Sequence, residues 1–309
     1  MIDEHETQWL GFPVKLFDSA ASEKGVRDYA KTIYRLALDW DAEVDFPTLF
    51  SRFLENPASS QTPAIIIGQF HGDDPDQTSD EAVQLLVSAR DRLPNLRGIF
   101  LGDMISEENE ISWIHQSDIS PLLSTFRSLE HLRVRGADGL SLGGRLSHEN
   151  LKSLVIESGG LPARIVQEVA ASHLPVLEKL ELWLGTENYG GDARVEDVAP
   201  ILSGNLFPKL KYLGLRDSEI VDRIAATLKN APIISRLETL DLSLGTLSDD
   251  GGKALLDIPQ LKQLKKLDLQ HHYLSDKMIA ALEKAFPNAE IGEAEEGDDP
   301  DDRFVAVSE

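Results

Sequence analysis

The 309-residue chain has no cysteine. That excludes disulfides, thiolate metal sites and cysteine nucleophiles. Basic residues are scarce beside acids: 30 Lys and Arg face 53 Asp and Glu, a formal net charge of -23. Phosphate backbones are held by Lys and Arg. The balance therefore argues against nucleic acid and anionic membrane surfaces, and favours solubility and a partner that is basic or of mixed charge. No apolar run approaches the roughly 20 residues that span a bilayer. The start, Met1-Ile-Asp-Glu-His-Glu, is acidic, whereas a secretory signal has a basic start and an apolar run. A soluble, cytoplasmic protein is expected. The HExxH, GxxxxGK[ST] and GxGxxG signatures are missing, and neither a catalytic residue nor a cofactor is expected.

What the chain does have is one phrase, seven times over. LxxLxL, with Ile or Val in places, begins at Leu96, Leu129, Leu151, Leu177, Leu210, Leu237 and Leu264, at spacings of 33, 22, 26, 33, 27 and 27 residues. A period in that range with this phrase is the signature of a leucine-rich-repeat solenoid. Alternate side chains of a strand face opposite ways. Positions four and six therefore point into a core, and positions three, five and seven to the other side. Stacked parallel strands about 4.8 Å apart turn the leucines into a continuous ladder.

Parallel strands need crossovers, usually helical. Helical spacing is read at Asp80 to Arg92, Pro162 to Ser172, Ser218 to Asn230, Ser248 to Asp257 and Ser275 to Phe286. Before the first phrase, Asp45 to Asn56 reads as a helix, and Pro13 to Phe17, Leu36 to Asp39 and Ala64 to Gly68 read as strands. The expected fold is α/β: a right-handed horseshoe of about nine strands, parallel strands concave and helices convex. Residues 1–60 are read as an N-terminal cap, since a solenoid end otherwise exposes its core. Residues 61–292 are read as the repeats and 293–309 as an acidic C-terminal tail. Within the tail, Glu293 to Asp302 is expected to be disordered, and the apolar ending Phe304-Val-Ala-Val307 to fold back onto the solenoid.

The ninth position of the repeat, commonly Asn or Cys, is here Met104, Ala137, Gly159, Gly185, Ser218, Gly245 and His272. The turn is expected to rest on Gly or bridging water. The phrases resemble the ribonuclease-inhibitor-like class of leucine-rich repeats over roughly residues 60–291. Ile111-Ser-Trp-Ile-His-Gln-Ser-Asp, His131-Leu-Arg-Val-Arg-Gly, Glu181-Leu-Trp-Leu-Gly-Thr, Tyr189-Gly-Gly-Asp-Ala and Phe304-Val-Ala-Val-Ser-Glu resemble a bacterial cytoplasmic leucine-rich-repeat family across nearly the whole chain. The resemblance implies a bacterial, cytoplasmic binding module and carries over no catalytic residue.

The candidate site is the concave face. Position five supplies Arg133, Glu181, Asp241 and Asp268, and position seven supplies Arg135, Glu157, Trp183 and Arg216. Trp and Arg are enriched in binding hot spots. Trp183 is the expected anchor, exposed, so that its removal leaves stability unchanged. Its alternative role is packing on the Arg216 guanidinium. Arg135 lies one strand from Glu157, near enough for an ion pair. Trp113, in the long connection from Gly102 to Ser120, is a second contact candidate; its alternative is a loop packed across the rim. His271 and His272 point to opposite faces of an extended strand, so no metal is expected there. Asp241 and Asp268 on neighbouring strands offer a weak hint of a shared proton. The leading function is a non-enzymatic protein-binding scaffold for another protein or a peptide. The alternative is a regulatory subunit of an enzyme system that binds a peptide or small anion at Arg133, Arg135 and Arg216.

Overall fold

A computed structural model describes residues 2–17, 28–72, 74, 76–297, 299 and 302–309. Its strands are β1 (Gln8–Trp9), β2 (Phe12–Leu16), β3 (Ile33–Leu36), β4 (Ala64–Ile67), β5 (Gly98–Leu101) and β6 (His131–Arg135). They continue as β7 (Ser153–Glu157), β8 (Lys179–Gly185), β9 (Tyr212–Ser218), β10 (Thr239–Asp241), β11 (Lys266–Asp268) and β12 (Ala289–Glu290). They form one 12-stranded sheet in strict chain order. β1 and β2 form an antiparallel hairpin; every later neighbour pair is parallel. Twelve strands replace the expected nine or so.

The register is the one the leucine phrase requires. Ile65, Ile99, Leu132, Leu154, Leu180, Leu213, Leu240 and Leu267 are aligned strand to strand, and so are Ile67, Leu101, Val134, Ile156, Leu182 and Leu215. All are buried in a single core that runs from Phe17 to Ile291. The third strand sits three residues earlier than expected. Pairing Tyr34 with Ile65 and Leu36 with Ile67 sends both side chains into the core and turns Arg35 to the other face.

Helices α1 (Phe46–Glu55), α2 (Asp80–Ser88), α3 (Ser120–Thr125), α4 (Ala163–Ala170), α5 (Val195–Leu202), α6 (Val221–Leu228), α7 (Asp249–Leu256) and α8 (Asp276–Ala285) fill the connections. α1 to α3 pack in series, as do α4 to α8, and their apolar residues join the leucine core. Three of their starts are capped by side chains: Asp45, Ser248 and Ser275 accept from the amides of Thr48, Asp250 and Met278. The unforeseen α3 and α5 are short, and Pro121 and Pro200 blur their pattern. At the N-terminal end an aromatic cluster of Phe17, Tyr29, Tyr34 and Phe53 fills the core. No helix among the described residues is long and apolar enough to cross a membrane.

The turns after the strands depart from expectation. Where Asn would stand, Ser218 Oγ accepts from the Ile220 amide and His272 Nδ1 from the Leu274 amide, each at 3.2 Å. The side chain one residue earlier is held in left-handed backbone at Asp217 (φ 49°), Leu244 (φ 67°) and His271 (φ 59°). Of the acidic stretch expected to be disordered, residues 298, 300 and 301 lie outside the described residues. Its first part is tied to the solenoid, because the Glu295 amide donates to the His272 carbonyl at 2.8 Å.

Candidate binding face

The sheet face away from the leucines carries the charged side chains. Strand alternation places Arg133, Glu181, Asp241 and Asp268 in one row, and Arg135 beside Glu157 and Trp183 beside Arg216 in the next. All but Asp268 are locked to each other in two networks.

In the first, Glu157 sits between two guanidiniums: Arg133 Nε donates to Oε1 at 2.6 Å and Arg135 Nε to Oε2 at 2.8 Å. Arg133 also reaches Glu6 of the N-terminal arm. Arg135 Nη1 donates to the Met104 carbonyl at 2.6 Å. Arg35 pairs with Asp103 at 3.1 Å and Glu108 at 2.8 Å. Both β6 guanidiniums lie over Phe100, at 4.3 and 5.2 Å from its centroid. Burial alone opposes ionisation of Glu157, but the two arginines outweigh it and hold the carboxyl below its ordinary value. At Asp103 burial prevails and pushes the carboxyl up despite Arg135 and Arg35.

In the second network Glu181 is the hub. Burial opposes its charge, yet Lys179 at 2.9 Å, Arg216 at 3.0 Å and the Trp183 indole N–H at 2.9 Å bring it down to about 2. Arg216 continues to Ser243 at 3.0 Å and Asp241 at 3.4 Å. The Tyr212 hydroxyl lies 2.6 Å from Asp241 and 3.0 Å from Glu181, and burial followed by these two charges raises its pKa. Asp241 and Asp268 are register partners, but each has its own donors: Ser243 and Tyr212 for Asp241, Lys266 for Asp268.

The face is covered in two places by the chain's own ends. The β1–β2 hairpin lays Trp9, Leu10, Phe12 and Val14 on Ile33, Ala64, Ile66 and Phe100. Gly98 leaves it room, since a Cβ there would stand 2.7 Å from Leu10 Cδ1. At the far side Val307 packs with Ile111 and Trp183, with Ile2, Leu244 and Ala306 around them.

Trp183 is therefore not the exposed anchor expected from the sequence. It is 8% exposed, and the Arg216 guanidinium lies 5.1 Å from its ring. Arg135, Glu157, Glu181, Asp241 and Asp268 are buried too, while Arg133 and Arg216 keep 19% and 23% of their side-chain surface. Nor do the three arginines converge: Arg133 and Arg135 share β6, Arg216 lies three strands away on β9, and each is paired with carboxylates. Trp113 is exposed at 58%, at the end of a 3-10 turn, Ile111–Trp113, whose first residue packs under the tail.

What remains at the surface is the third position of the repeat. His131, Ser153, Lys179, Tyr212, Thr239 and Lys266 are register partners across six strands, and all are half-buried. Lys179 Nζ stands 4.6 Å from the Tyr212 ring. The leucine phrase gives these positions directly; only their exposure needed the structure.

One catalytic-type motif does occur: Gly139-Leu140-Ser141-Leu142-Gly143 has the GxSxG form. It does not form the strand-to-helix elbow that such a serine needs. The segment is irregular, Ser141 Oγ accepts from the Gly143 amide at 3.0 Å, and no hydrogen bond joins it to a histidine. Among the described residues no three potential metal ligands come together.

No protein-family model matches the chain, and no curated protein matches it. A solved structure of a protein from Bacteroides fragilis superposes with TM-score 0.81 and 33% identity, over 89% of this chain and 77% of that one. An internalin from Listeria monocytogenes aligns at 14% identity over 87% of this chain and 82% of its own, but its TM-score of 0.27 is too low to bear on the fold.

Proposed function

This chain belongs to the same family as the Bacteroides fragilis protein, and we propose that it is a bacterial cytoplasmic scaffold that binds another protein through the charged face of its sheet, without catalysis of its own. Right-handed crossovers, which parallel strands strongly favour, would make that face the concave one, backed by convex helices. The observation that carries the reading is the third-position row. Six polar side chains are held in register on successive strands, and the residues beside them are fixed by ion pairs, so the row is rigid before a partner arrives. Extended surfaces of this kind are what solenoids use for recognition. Lys179 and Lys266 in an otherwise acidic chain suit a partner of mixed charge.

The test is affinity capture from a lysate of the source organism, comparing wild type with Tyr212→Ala and with the double variant Lys179→Glu, Lys266→Glu. A captured protein should fall by at least about tenfold in both variants, the loss of one hot-spot contact. An identical captured set in all three would overturn the reading.

A further inference from the structure

The last seven residues, Arg303 to Glu309, return to the sheet after the acidic stretch and are held like a bound peptide. Val305 and Val307 are buried, while Phe304 between the tether and the groove stays exposed. The Ala306 amide donates to the Leu244 carbonyl at 2.9 Å, and the Val307 amide to Asp217 Oδ1 at 2.9 Å. Ser112 Oγ donates to the Ser308 carbonyl at 2.6 Å, and the Tyr189 hydroxyl reaches the Glu309 carboxylate. Upstream, Tyr273 exchanges hydrogen bonds with both the amide and the carbonyl of Phe304, each at 2.9 Å.

The receiving side is shaped for this. Asp217 and Leu244, which supply the two acceptors, both sit in left-handed backbone that non-glycine residues adopt only at a cost, a mark of functional loops. Gly159 forms a floor with no room for a side chain, because a Cβ would stand 2.3 Å from the Ser308 carbonyl oxygen. Asp217 is fully buried, and its second oxygen has no hydrogen-bond partner among the described residues. The tail thus leaves one hydrogen-bonding position in the groove unused.

We propose that the groove formed by Ile111, Gly159, Trp183, Asp217 and Leu244 is a peptide-binding site, with residues 303–309 of the same chain as its resident ligand. The exchange partner is a segment of the same chemistry: aliphatic residues of valine size at alternate positions, a small residue between them, and an acidic end. This deepens the reading of the face as a binding surface and makes the tail its autoinhibitor. A tethered ligand acts at an effective concentration near the millimolar range. A partner must therefore bind well below that, or the tail must first be drawn out.

The test uses the full chain and a fluorescein-labelled synthetic heptapeptide with the sequence of Arg303 to Glu309. Val307→Asp places a charge where the aliphatic pocket lies. Ala306→Pro removes the amide that Leu244 receives, with no new charge, and serves if the first variant does not fold. Fluorescence anisotropy should show saturable binding to either folded variant and at least about tenfold weaker binding to wild type. Adding Gly159→Val to the variant should abolish binding. Folded Ala306→Pro that binds no peptide, or equal binding by wild type and variant, would overturn the proposal. So would concentration-dependent dimerisation of wild type that the peptide competes away, since that assigns the groove to a second copy. The scaffold reading is tested by captured proteins and this proposal by a synthetic peptide on tail variants, so the two fail separately.

Discussion

Trp183→Ala measures how firmly the charged face of the sheet is packed. An exposed anchor could be cut to alanine with no loss of stability. In the structure the indole is 8% exposed, stacks 5.1 Å from Arg216, packs against Ile111 and Val307 and donates to Glu181 at 2.9 Å. Truncating a buried Trp to Ala costs about 3–5 kcal/mol. Part of that is the hydrogen bond to a charged acceptor, about 1.5–3 kcal/mol. With a shift of roughly 2–4 °C per kcal/mol for large domains, Trp183→Ala should melt about 6–20 °C below wild type by circular dichroism. Trp183→Phe keeps an aromatic ring at the site and loses the N–H with part of the ring, so it should fall about 1–3 kcal/mol short, less than Trp183→Ala. A melting temperature for Trp183→Ala within about 1 °C of wild type would refute the packing argument and restore the exposed anchor.

Leu213→Asp or Leu240→Asp places an unpaired carboxylate in the ladder core at a cost of several kcal/mol; the product should be insoluble, and a soluble variant with native circular dichroism would contradict the register. Glu157→Gln leaves Arg133 and Arg135 facing a neutral group and should destabilise by about 3–5 kcal/mol in urea titration; a loss under about 1 kcal/mol would mean the network is not cohesive. Burial pushes Asp217 from an ordinary 3.8 up to about 8, so the folded chain keeps a proton that the unfolded chain has released. Its share of stability should therefore fall as pH rises from about 4 to about 8. Urea midpoints at pH 5 and pH 8 should drop more in wild type than in Asp217→Asn, and parallel drops would rule this out.

The strands were legible because the information is local. A leucine at positions one, four and six fixes which way each neighbour points, and the register partners Leu132, Leu154, Leu180, Leu213, Leu240 and Leu267 follow from it. Six of the eight helices were legible for the same reason, through apolar residues at helical spacing. The Arg135–Glu157 pair was legible because both residues lie at position seven of adjacent phrases.

Exposure was not legible, because what covers the face comes from far along the chain. Glu6 reaches Arg133 across 127 residues, Ser112 reaches Ser308 across 196, and Val307 meets Asp217 across 90. No periodicity marks Glu6 or Val307, so a repeat pattern places the receptor residues and says nothing of their occupants. Two features carried a clue: the apolar ending Phe304 to Val307, expected to fold back and found buried at Val305 and Val307, and the charge pattern. Guanidiniums and carboxylates packed onto one face are costly to bury unless every member is paired, and β6 presents two arginines to one glutamate. Further negative charge comes as Glu6 beside Arg133 and Asp103 beside Arg135, the first from the N-terminal arm and the second from the residue just before the ninth position of the repeat that begins at Leu96. The same logic applied to Asp217, a buried carboxyl with a backbone amide for a partner and no ion pair among the described residues, marks the place where the cover is held most weakly.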